Sequence, residues 1–92
     1  MKLLKLIQSI EQHRGHRPRA YTSWAIGNAS EPDAVRKSVH QFYEDRRWLC
    51  LSADSKAYAD AVETHFRDLG MRNGRGLEPS GRFVFVYYRR CV

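Results

Sequence analysis

Trp24-Ala25-Ile26-Gly27-Asn28-Ala29-Ser30-Glu31-Pro32-Asp33 is the stretch from which the fold follows. Its first half is apolar and rich in strand formers, and Tyr21 and Thr22 extend that character upstream. Together they predict a first strand over about Arg19 to Gly27. Its second half is a helix start. Ser30 is placed as N-cap, Pro32 falls in the first turn where a missing N–H costs nothing, and Asp33 completes a capping box. The helix so opened runs to about Glu44, with Ala34, Val35, Ser38, Val39 and Phe42 as its core stripe. At 100° per residue Arg36, His40 and Tyr43 fall together on one flank of that stripe.

Downstream, Trp48-Leu49-Cys50-Leu51 is apolar on both faces, which predicts a central strand. Ser52, Asp54 and Ser55 offer caps for a long helix from about Ser55 to Leu69. Tyr58, Ala61, Val62, His65, Phe66 and Leu69 form its buried face, and Glu63 lies one step off it. Gly70 ends this helix, with Met71 placed for the apolar contact that accompanies a glycine C-cap. The four glycines and Pro79 of Gly70–Gly81 read as a connector. In the strand Arg82–Tyr88, Phe83, Phe85 and Tyr87 face one way and Val84, Val86 and Tyr88 the other.

Upstream, Leu3, Leu4, Ile7 and Ile10 recur at helical spacing, with Gly15 as C-cap. Lys5, Gln8 and Glu11 interrupt the run, and no small-residue cleavage site follows. It is therefore expected to be an amphipathic helix rather than a leader. The loop His13-Arg14-Gly15-His16-Arg17-Pro18-Arg19 is basic and kept out of helix by Gly15 and Pro18. The expected architecture is α+β: one small domain in the order α-β-α-β-α-β, a three-stranded sheet packed by helices.

Ninety-two residues suffice for one core and not two. With 42% hydrophobic and 28% charged residues the chain has the composition of an ordinary globular domain. No apolar run approaches the roughly 20 residues that span a bilayer. Cys50 and Cys91 have no CxxC or Cys/His zinc spacing, and in the cytoplasmic setting expected from the N-terminal reading both thiols are expected to be free. The net charge is +6, and twelve of the sixteen basic residues are Arg, whose planar fork pairs with phosphate bidentately. That balance points to a polyanion, most often nucleic acid, with DNA and RNA both open. Candidate phosphate contacts are Arg14, Arg17, Arg19, Arg46, Arg47, Arg72 and Arg75.

Ala25-Ile26-Gly27-Asn28, a Pro-containing cap, Arg36 and His40 on the next helix, and Ala61-Val62-Glu63 on a later one resemble a small GIY-YIG nuclease domain over about residues 20 to 69. The resemblance implies a Mg²⁺-dependent endonuclease. Glu63 would supply the oxygen ligand to the metal, Arg36 would neutralise charge on the scissile phosphate, and His40 would stand beside it. The family's general base is a tyrosine, and Ala25 stands where its second motif carries one. Tyr21, or Tyr87 or Tyr88 if the C-terminal strand replaces the family's missing first strand, would have to serve. A decayed relative that binds without cutting would keep Arg36 and the basic loops.

Each of these residues also has an ordinary reading. Arg36 pairs locally on a helix surface, Glu63 pairs with Arg67 at i+4, and Trp24 and Trp48 fill the core. The function expected is nucleic-acid binding on a GIY-YIG-like scaffold, catalytic or decayed. The alternative is a non-enzymatic phage or bacterial regulator that binds a protein partner.

Overall fold

The computed structural model describes residues 1–15, 21–39, 47–74 and 80–88. The elements are α1 (Leu3–Arg14), a 3₁₀ turn (Tyr21–Ser23), β1 (Trp24–Ala29), α2 (Pro32–Val39), β2 (Leu49–Ser52), α3 (Lys56–Asp68), β3 (Arg72–Asn73) and β4 (Phe83–Tyr88). Among the described residues three helices pack on a mixed sheet of order β2-β4-β1-β3. β4 runs antiparallel to both β1 and β2, and β3 is parallel to β1.

The sheet corrects the expected count of three strands. The fourth, Arg72–Asn73, lies in the stretch read as a connector. Two residues give no periodicity to detect, and the strand exists because β1 offers an edge: Gly74 N–H donates to the Ile26 carbonyl at 2.9 Å. A second correction concerns β2, expected in the centre and found at an edge, with Cys50 exposed. The centre belongs to β4, whose six apolar residues can be covered on both faces and bonded on both sides. The first strand also starts later than its composition suggests, because Tyr21–Ser23 turn once before the chain extends.

Strand alternation divides the core. Trp24, Ile26, Val84 and Val86 point to one face, where Leu6 and Ile10 of α1 and Ala59, Val62 and Phe66 of α3 cover them. Ala25, Ala29, Phe85 and Tyr87 point to the other, where Val35 of α2 and the partly buried Trp48 lie. Trp48 stacks at 5.3 Å on Phe85 and 5.9 Å on Tyr87, nearly parallel to both.

Caps fall where side-chain chemistry requires them. Ser55 accepts from Tyr58 N–H at the start of α3. At its end Gly70 takes φ 118°, Gly70 N–H donates to Arg67 O, and Met71 N–H donates to Phe66 O. These are the paired bonds of a Schellman turn, and Met71 is buried against the core as that turn requires.

The outer edge of β2 is covered at one end by the chain's first residue. The Met1 ammonium donates to the Ser52 carbonyl at 2.7 Å, and Asp54 N–H donates to the Met1 carbonyl at 2.9 Å. That is the pattern of a single parallel bridge, and it shortens the length of strand open to a stray partner. Among the described residues no helix is long and apolar enough to cross a membrane.

Candidate nucleic-acid interface

β1 connects two polar environments. At its far end Asn28 points toward α3 and is 1% exposed, so its amide must be satisfied internally. Its Nδ2 donates to Asp60 Oδ1 at 3.1 Å and to Glu63 Oε2 at 3.2 Å, and its Oδ1 accepts from Gly81 N–H at 3.0 Å. Lys56 Nζ donates to the other oxygen of Asp60 at 2.9 Å. Gly81 is required here: a Cβ would come within 2.5 Å of Ser30 backbone atoms. One buried amide thus ties strand, helix and the entry to β4 together.

At the near end of β1 two guanidinium groups lie on aromatic rings, one of them also paired with a carboxylate. The Arg14 guanidinium sits 4.1 Å from the Tyr21 ring centre, and that of Arg47 sits 4.8 Å from Tyr88. Both lie within cation–π range. Arg14 also donates to Glu11 Oε2 and Tyr21 Oη. Trp24 anchors the group, meeting Tyr88 edge-on at 5.2 Å and His13 at 5.7 Å. His13 Nε2 is 2.9 Å from the Arg47 carbonyl; a carbonyl only accepts, so that nitrogen carries the proton. Arg67 in the last turn of α3 and Arg72 at the start of β3 belong to the same end, since Phe66 packs on Tyr21 and Arg72 pairs with Ala25.

The residues expected at a nuclease centre are not gathered at one point. Glu63 and Tyr21 lie on the α1/α3 face, against Asn28 and Phe66 respectively. Arg36 and Tyr87 lie on the α2 face, both beside Trp48, with Arg36 5.8 Å from its ring centre. The sheet stands between Arg36 and Glu63. Tyr87 is buried, and its hydroxyl donates to the Gly74 carbonyl at 3.4 Å. His40 lies outside the described residues, as do Arg17, Arg19, Arg46 and Arg75. Among the described residues no three His, Cys, Asp or Glu side chains are grouped to hold a metal ion.

Asn28 and Asp60 are the residues that sequence reasoning passed over. The signal was present: Trp24, Ile26 and Asn28 alternate onto one face, so a polar side chain was due inside and needed partners. Cys50 carries no sign of reactivity. Partial burial of its sulfur and the charge of Asp33 push the thiol above its ordinary pKa, away from the thiolate. In comparisons with family models, curated proteins and solved structures, nothing matches this chain.

Proposed function

We propose that this chain is a non-catalytic nucleic-acid-binding domain that engages phosphates through the end of its sheet where β1 begins and β4 ends. The carrying observation is the grouping there of Arg14, Arg47, Arg67 and Arg72, two of them held over tyrosine rings. Arginines whose stems are fixed by packing lose less freedom on meeting a phosphate. Further arginines adjoin this end in sequence: Arg17 and Arg19 between α1 and the 3₁₀ turn, Arg46 before Arg47, and Arg89-Arg90 after β4. Most of the described carboxylates, those of Glu31, Asp33, Asp54, Asp60 and Glu63, belong to the opposite end. Arg36 and Glu63 approach the sheet from opposite faces, an arrangement that supports binding without cleavage.

The test is fluorescence anisotropy with labelled single- and double-stranded DNA and RNA at two salt concentrations, with Mg²⁺ present and the strands then run on a denaturing gel. The expected result is salt-sensitive binding with intact strands. Shortened strands would restore the nuclease reading. Absence of binding at low salt would overturn the proposal and direct attention to a protein partner.

A further inference from the structure

α3 and β3 enclose an open cavity of about 560 Å³ lined by Thr64, Arg67, Asp68, Met71, Arg72 and Asn73. Its walls are joined by the turn Leu69–Gly70–Met71. The turn is fixed in place: both its N–H bonds are made, Gly70 holds φ 118°, and Met71 is 4% exposed and packed in the core. Arg67 and Arg72 are five residues apart in sequence, yet one comes from a helix and the other from a strand. The turn holds them on two sides of a single space. Thr64 and Asn73 add a hydroxyl and an amide, and Asp68 is the one acidic residue among the described residues of the lining.

The end of a helix is ordinarily a poor place for an anion, because its last carbonyls point outward. Here the carbonyls of Phe66 and Arg67 are taken by Met71 and Gly70 N–H groups, which reduces that opposition. Two guanidinium groups against one carboxylate then favour a ligand that is anionic and accepts in a planar, bidentate manner. The volume lies in the range of small-molecule sites, roughly 300–1,000 Å³, and exceeds what a bare phosphate fills.

We infer that this groove is a nucleotide-phosphate site, in which Arg67 and Arg72 clamp the phosphate while Thr64 and Asn73 border the sugar and base. The inference rests on the nucleic-acid reading and places one contact of the strand. The same chemistry admits a free mononucleotide, and the experiment separates the two sources.

The experiment follows backbone amide resonances of the full chain during titration with inorganic phosphate, adenosine 5′-monophosphate and a short thymidine oligonucleotide. Shifts concentrated in residues 64–73 are expected with the mononucleotide and the oligonucleotide, and weaker ones with phosphate. Arg67→Ala and Arg72→Ala are each expected to weaken mononucleotide binding about tenfold, the loss of one charge-assisted pair. Asp68→Asn is expected to tighten it, a change of opposite sign that a merely destabilised fold would not give. Arg82→Ala, an exposed arginine beside β4 at the other end, is expected to leave it unchanged. An oligonucleotide that binds without moving residues 64–73 overturns the groove and leaves the nucleic-acid reading standing. Mononucleotide binding in the groove without oligonucleotide binding does the reverse and assigns the site to a free nucleotide. Equal losses in all three arginine variants also overturn the groove, since they would report net charge alone.

Discussion

The two ends of β1 handle polar groups in contrasting ways. At the Asn28 end, opposite partners face inward: a buried amide is consumed by two carboxylates and a backbone N–H. At the Trp24 end, the guanidinium groups of Arg14 and Arg47 lie on the faces of rings that themselves pack on the core, Arg14 is also paired with Glu11, and Arg67 and Arg72 share the region. A closed hydrogen-bond network contributes stability and fixes strand against helix. Like charges gathered at one end contribute little to stability and much to attraction for an anion. The contrast teaches that Glu63, a residue type that suggests catalysis, serves the first task as a partner of Asn28, while Arg14 and Arg47 lie against tyrosine rings at the other end.

The largest expected effect comes from breaking the closed end. Asn28→Leu keeps the volume but removes the bonds to Asp60 and Glu63 and the acceptor of the Gly81 N–H, and should cost about 2–4 kcal/mol in urea denaturation. Affinity of the folded fraction for nucleic acid should not change; a matching loss of affinity would mean that the two ends are not separate. Gly81→Ala should cost about 1–3 kcal/mol, because the new methyl meets Ser30 backbone rather than a side chain that can move.

At the open end the pattern inverts. With Arg46 and Arg47 both replaced by Ala, stability should move by less than about 1 kcal/mol while affinity falls roughly tenfold or more. The slope of log affinity against log salt should flatten by about two. An unchanged slope would make this patch a solvated surface. Glu63→Gln retains an oxygen to accept from Asn28, so it should shift stability by less than about 1 kcal/mol. It should also leave binding and the integrity of the strands as they were; cleavage that appeared in the parent and vanished in this variant would assign Glu63 to catalysis.

The smallest effect concerns Asp54. The hydrogen bond from the Met1 ammonium, with the positive charges of that ammonium, Lys2 and Arg82, holds its carboxyl below the ordinary aspartate range. A depressed folded pKa means that the contribution is present above the unfolded aspartate pKa and is lost as pH falls through the folded one. The stability gap between the parent and Asp54→Asn should therefore be flat near neutrality and close under acid. A gap that widens on acidification would contradict the clamp.

Local chemistry is legible where a cap or a turn decides it, but helix faces are less so: Leu4, Tyr58 and Leu69 stand on the expected apolar stripes and are exposed, Leu6 and Ala59 are buried instead, and α2 begins at Pro32, later than Ser30 as N-cap implies. The Ser55 cap, the Gly70–Met71 turn, the Gly15 end of α1 and the alternation of Phe83–Tyr88 all follow from residues within a turn or two of each other. The failures in the sheet share a cause. β2 looks central because Leu49 and Leu51 are apolar, but centrality depends on which strand wins the competition to pair on both sides, and β4 is longer and more apolar. β3 is two residues long and owes its pairing to the edge that β1 presents.

Sequence alone determined that the chain is small and α+β, where α1 ends and where α3 begins and ends, and that its positive net charge comes from an excess of arginine. Those properties depend on local propensity, capping and net composition. The order β2-β4-β1-β3, the separation of Arg36 from Glu63 by a sheet, the capture of both Asp60 and Glu63 by Asn28, and the groove between α3 and β3 depend on contacts between residues far apart in the chain. Helix spacing places Arg36 and Glu63 each on a flank, but the face of the sheet on which each helix lands is set by which apolar stripe fills which side of the core.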